Sequence, residues 1–117
     1  MANILIVEDD VSIRLLFSEE LRADGFETYM AANGFEALEI VGKVPINLVI
    51  LDIKMPEMDG IETLRHLKTW KPELPVILCT AYDEYKQDFA TWASDEYLVK
   101  SSDLEDLKAV VKRYLEE

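Results

Sequence analysis

Short continuous apolar runs alternate along this chain with stretches in which apolar residues recur every three or four positions. NILIV (3–7), INLVIL (46–51) and VILC (76–79) are the clearest runs. Each is short and carries β-branched residues, so each predicts a strand. Residues 26–31 and YLV at 97–99 predict two weaker strands. After the first run, Ile13, Leu16, Phe17 and Leu21 form one stripe of a helix that Gly25 stops. Asn33 is placed as an N-cap, with Glu36 three residues on, before a helix carrying Ala37, Leu38 and Val41 and ended by Gly42 and Pro45. Gly60 opens a helix with Ile61, Leu64, and Leu67 or His66 on its faces; Pro72 and Pro75 bracket the entry to the strand at 76–79. A polar helix is predicted over 83–93. Ser102-x-x-Glu105 reads as a capping box for a last helix with Leu104, Leu107, Val111 and Tyr114 on one face.

Five strands thus alternate with five helices. The clearest strands are apolar throughout instead of alternating, which is expected when both faces of a sheet are covered. The pattern predicts an α/β fold: one doubly wound five-stranded parallel sheet with right-handed crossovers and helices on both faces. In such sheets ligands bind beyond the carboxyl ends of the strands, where the strand order switches. No linker, repeat or low-complexity stretch interrupts the pattern, so residues 1–117 are expected to form a single domain with no output domain visible.

Composition narrows the choice. The chain of 117 residues is 50 % hydrophobic and 31 % charged, a globular profile. Its net charge of −12 repels phosphate backbones and anionic lipid, so direct binding to nucleic acid or membrane is not expected. No apolar run approaches the roughly 20 residues of a membrane span. MANILIVEDD has no basic start and turns acidic at once, unlike a signal peptide. Cys79 is the single cysteine, which excludes an internal disulfide and a multi-cysteine zinc site. A cytoplasmic location is the simplest expectation.

The residues that end the strands carry the chemistry. The first strand delivers Glu8, Asp9 and Asp10, the third Asp52, the fourth Thr80 and the fifth Lys100. A parallel sheet gathers these ends along one edge. Carboxylates about 5 Å apart repel by roughly 3 kcal/mol per pair at an effective dielectric near 20. A divalent cation relieves that repulsion, and an all-oxygen set suits Mg²⁺, which takes one or two carboxylates, waters and a phosphate oxygen. Thr80 and Lys100 then fit as donors to a phosphoryl group. Taken singly these residues have plainer roles: the acidic triplet as a capped helix start, Asp52 as a turn residue. Their coincidence at successive strand ends is what points to a site.

The segments ILIVEDD (4–10), LVILDIKMPEMDG (48–60), VILCTAY (76–82) and YLVK (97–100) resemble the receiver domains of bacterial two-component response regulators, over essentially the whole chain. The resemblance implies the flavodoxin-like, CheY-like form of the fold. It implies that Asp52 accepts a phosphoryl group from a sensor histidine kinase or histidine phosphotransfer protein. Mg²⁺ would be held by Asp9, by Glu8 through water, by Asp52 and by the Lys54 backbone carbonyl. Thr80 would swing towards the phosphoryl group, Lys100 would pair with it, and Tyr97 would change rotamer as the switch aromatic that alters a surface read by an output protein. Met55-Pro56 and Gly60 would shape the loop beside the site. The protein would then be no enzyme beyond its own phosphoryl acceptance and autodephosphorylation. Ser101 follows Lys100 where the family has proline. The Thr80–Lys100 interval is about two residues short, and Ala93-Ser94 replaces the usual Gly-Ala, with Trp92 just ahead.

Three other classes are weighed. A haloacid dehalogenase-type phosphatase needs a second acid two residues after Asp52, where Lys54 stands. A flavin-binding protein needs a phosphate loop where Glu8-Asp9-Asp10 would repel phosphate. A receiver-like interaction module that is never phosphorylated is separated only by experiment. Cys79 is read as an inert core thiol, His66 as a surface residue, Trp70 and Trp92 as packing residues, and Tyr82 as a partial shield of the phosphoryl group.

Overall fold

Because side chains alternate along a strand, a continuously apolar strand feeds two cores at once. The computed structural model describes residues 2–52, 60–80, 94–99 and 104–116. The elements are β1 (Asn3–Val7), α1 (Val11–Ala23), β2 (Glu27–Ala31), α2 (Gly34–Lys43), β3 (Leu48–Leu51), α3 (Gly60–Trp70), β4 (Val76–Thr80), β5 (Glu96–Val99) and α4 (Glu105–Leu115). The five strands form one sheet in the order β2-β1-β3-β4-β5, and every neighbouring pair is parallel. The helix expected over 83–93 lies outside the described residues, which contain four helices.

Ile4 and Ile6 of β1, Leu48 and Ile50 of β3, and Ile77 and Cys79 of β4 share one core with Phe17 and Leu21 of α1 and Leu107, Val110 and Val111 of α4. Leu5 and Val7, Val49 and Leu51, and Val76 and Leu78 point the other way, onto Ala37 and Val41 of α2 and Leu64 and Leu67 of α3. Burying each large aliphatic side chain contributes about 1.5–3 kcal/mol, so both faces of the sheet hold their helices.

Several ends differ from expectation. Gly25 does stop α1: it takes φ +97° and its N–H donates to Arg22. Gly42, expected as a stop, lies inside α2, which runs on to Lys43. There the Trp70 indole reaches to 3.0 Å from where a Cβ would stand, so a bare backbone accommodates the ring. Leu16, expected in the buried stripe of α1, is exposed, and Ser18 is buried in hydrogen-bonding contact with Thr28 at 2.7 Å. α4 starts with Leu104 at its N-cap position, where no side chain caps it, and the expected capping box rests on Ser102. Leu104 is buried against the first core; Ser102 itself lies outside the described residues. β3 begins at Leu48 instead of 46 because Asn47 binds Asn3 sideways, its N–H donating to the Asn3 carbonyl and its Oδ1 accepting the Asn3 N–H, both at 2.8 Å.

At the far end of the sheet, Asp95 sets β5 beside β4. Its Oδ2 accepts from the Val76 N–H at 2.8 Å and from Lys68 Nζ at 2.7 Å. The Tyr114 hydroxyl donates to its carbonyl at 3.1 Å.

Candidate functional site

The strand order switches between β1 and β3: the chain leaves β1 for one edge of the sheet and returns to its other side. Val7 is level with Leu51, and the Asp52 N–H donates to the Val7 carbonyl at 3.0 Å. The Glu8 N–H continues the other ladder, to the Ala31 carbonyl at 3.0 Å. Glu8 and Asp52 therefore leave neighbouring strands at one level. One carboxylate oxygen from each of Glu8, Asp9 and Asp52 lies within 4.8 Å of the others. Glu8 and Asp52 are buried, at 2 % and 7 % exposure, whereas Asp9 is exposed, so the cluster opens to solvent on its side.

Asp10 does not join them. It is the N-cap of α1, and its Oδ1 accepts from the N–H groups of Ser12 at 2.9 Å and Ile13 at 3.2 Å. The cap satisfies donors that the first helical turn cannot. Of the acidic triplet, then, Asp10 takes the plain role of helix cap.

The donor set fits a hard cation. An octahedral ion with oxygens at about 2.1 Å spaces its ligands by about 3.0–4.2 Å, within a small side-chain rotation of this cluster. Glu8, Asp9 and Asp52 are the residues that would hold it, and all offer oxygen.

The other predicted residues fall as follows. Thr80 is the last residue of β4 and is level with Val99, and Cys79 is the β4 residue level with Asp52 by continuation of the register. Tyr97 is on β5, partly buried against the core under α2 and α3. Lys54, Met55, Pro56, Tyr82, Trp92, Lys100 and Ser101 lie outside the described residues. His66 is exposed on α3, as expected, and Trp70 is 53 % exposed while covering Gly42. Cys79 is buried in the first core.

One residue beside the site escaped the sequence pattern. Arg14 Nη1 donates to the Glu8 carbonyl at 2.7 Å. A signal was available: a cation near the first turn of a helix opposes the helix dipole, and helical side chains lean towards the N-terminus. Exposed Val11 and Leu15, at 55 % and 46 %, flank the same turn.

Fold and strand-end chemistry together define a parallel α/β domain with an acidic cluster at the switch point of its sheet, and comparison with known proteins gives its family. Residues 4–112 match the response regulator receiver domain model. The chain belongs to the response regulator receiver domain family, the receivers of two-component signalling, and has its flavodoxin-like fold. Sporulation initiation phosphotransferase F of Bacillus subtilis is 40 % identical over 115 residues, covering 97 % of this chain and 93 % of that protein. Regulatory protein AtoC of Escherichia coli is 37 % identical over 116 residues, but the match spans only 25 % of its length. Response regulator protein TrrA from Thermotoga maritima, crystallised in complex with Mg²⁺-BeF, superposes with a TM-score of 0.96 at 43 % identity, over 98 % of this chain and all of that one (100 %). TrrA has also been crystallised with the histidine kinase ThkA; that TrrA chain gives a TM-score of 0.93 at 43 % identity over 98 % of this chain and 99 % of its own. No helix among the described residues is long and apolar enough to cross a membrane.

Proposed function

We propose that Asp52 accepts a phosphoryl group from a phosphohistidine on a sensor kinase or phosphotransfer protein, and that the modified site changes a surface read by an output protein. The observation that carries this is the convergence of Glu8, Asp9 and Asp52 at the switch point of the sheet. In the transfer, a carboxylate oxygen of Asp52 forms the new P–O bond as the P–N bond of the donor breaks in line. The electron pair departs on the imidazole nitrogen. Burial of Asp52 holds that oxygen in place and limits competing water. Glu8 and Asp9, with the Lys54 carbonyl, would hold Mg²⁺, which supplies charge neutralisation for the phosphoryl oxygens when bound. Lys100 would pair with those oxygens. Thr80 would donate its hydroxyl to them, and its movement would free or displace Tyr97 on the adjacent strand.

A donor protein must reach a site that opens beside α1. Val11 and Leu15, exposed near the start of α1, offer that protein an apolar contact. The complex of the related TrrA with a histidine kinase supports a partner of this class.

Incubation with acetyl phosphate, with and without Mg²⁺, followed by intact-mass analysis, tests the proposal. A single Mg²⁺-dependent phosphoryl adduct is expected on the wild type and none on Asp52→Ala. If folded wild type stays unmodified by acetyl phosphate and by a panel of phosphorylated histidine donors, the chain is an interaction module that keeps the site without using it.

A further inference from the structure

We propose that Arg14 is a positioning residue for the divalent cation: by holding the Glu8 carbonyl it keeps the β1–α1 turn in the shape that presents Glu8 and Asp9. The inference rests on the reading of Glu8, Asp9 and Asp52 as a Mg²⁺ site.

Only residues 8–10 separate β1 from α1, and two of them supply carboxylates to the cluster. Contacts at both ends tie this turn down. The Glu8 N–H is tied to β2 through Ala31. Glu8 Oε2 accepts from the Asp10 N–H at 3.2 Å, and Asp10 in turn caps α1. These contacts fix the turn at the sheet and at the helix start. The bond from Arg14 Nη1 to the Glu8 carbonyl, at 2.7 Å, is different: it runs from the body of α1 back to the last peptide before Asp9. A guanidinium donor makes it charge-assisted, and Arg14 is half-buried, so water competes weakly for the carbonyl. The Glu8–Asp9 peptide orients both side chains at once. A rotation of that peptide moves the two carboxylates apart, and the cluster tolerates little of this before its oxygens no longer converge.

The sign of the effect distinguishes positioning from simple charge. A cation beside the cluster repels Mg²⁺, so an arginine acting only through its charge would weaken binding, and its removal would tighten it. An arginine acting through the carbonyl does the opposite, because neighbours that orient ligands typically contribute 10–100-fold to metal affinity.

Isothermal titration of the metal-free protein with MgCl₂ decides between them, on wild type, Arg14→Met and Arg14→Lys, each with its unfolding midpoint measured without metal. Arg14→Met is expected to raise the Mg²⁺ Kd about tenfold. Arg14→Lys, which keeps a cationic donor, is expected to recover most of the affinity. A Kd that is unchanged or lower in Arg14→Met overturns the proposal, and a lower midpoint with an unchanged Kd reduces Arg14 to a structural contact. Should Arg14→Met not fold, Arg14→Gln is read in its place with the same expectation. Wild type that binds no Mg²⁺ overturns the metal-site reading itself, and the role of Arg14 with it; that failure shows in the first titration, before any variant is compared.

Discussion

Glu8 and Asp10 stand two residues apart and serve opposite ends of the same turn. Glu8 is buried and faces Asp52; Asp10 faces the helix and caps it. Between them Asp9 is exposed, and its carboxylate is the part of the cluster most open to solvent. Without metal, Asp9 adds repulsion to two buried neighbours. Solvent screening reduces that cost to about 1 kcal/mol. Asp9→Asn is therefore expected to raise the unfolding midpoint of the metal-free protein and to shrink the increment that Mg²⁺ adds. Differential scanning calorimetry with EDTA and with MgCl₂ checks both; a lower metal-free midpoint would count against a crowded acidic site. Asp10→Ala removes a cap, and its main expected effect is a lower unfolding midpoint with and without Mg²⁺.

Between elements, α1 and α4 share one face of the sheet and are joined by charge at their outer edges. Lys108 Nζ lies 3.0 Å from Glu20 Oε1, and Lys112 Nζ lies 3.8 Å from Asp24. The Glu20 hydrogen bond, the largest effect, raises the Lys108 pKa above its ordinary 10.5; desolvation, next in size, opposes it, and the charges of Asp24, Glu20 and Glu105 add to the rise. A raised folded-state value means that this stabilisation is fully present below 10.5 and is lost as the pH climbs through the raised value. The difference in stability between wild type and Lys108→Met is thus expected to be constant around neutral pH and to close above 10.5. Urea unfolding of both proteins across that range measures it. A difference that widens at high pH would reverse the assignment. On the other face, α2 and α3 meet through Gly42 and Trp70, a contact between a missing side chain and a large one.

For the molecule as a whole, 24 acidic and 12 basic side chains leave a field that attracts divalent cations, and the strand order concentrates it at one edge of the sheet. Mg²⁺ bound at the proposed site would tie β1 to β3 and stabilise the fold by mass action. At about ten times its Kd, Mg²⁺ is expected to add about 1.4 kcal/mol, or roughly 5 °C in Tm. Asp52→Ala is expected to lose most of that gain while keeping the fold, because Asp52 follows β3 instead of packing within it. Thermal unfolding against MgCl₂ concentration reads both. An equal gain in Asp52→Ala would place the metal elsewhere.

The order of elements was legible in the primary structure because apolar periodicity is local. The runs at 3–7, 46–51 and 76–79 read as strands at sight, the second trimmed to 48–51 in the fold, and Gly25 and Asn33 mark helix ends through backbone and side-chain chemistry that acts within a few residues. The motif around Asp52 was equally plain. Tertiary structure decided what depends on contacts across long stretches of chain. Register between β1 and β3 brings Glu8, Asp9 and Asp52 together and leaves Asp10 to its helix, although Glu8, Asp9 and Asp10 are adjacent in sequence. Gly42, an expected stop, lies within α2 under the Trp70 ring, and buried Leu104 stands at the start of α4. Arg14 acquires its partner only when α1 folds back over the end of β1. Periodicity reports which side of an element is apolar; the atoms that meet there are set by strand register and by the shape of the neighbour.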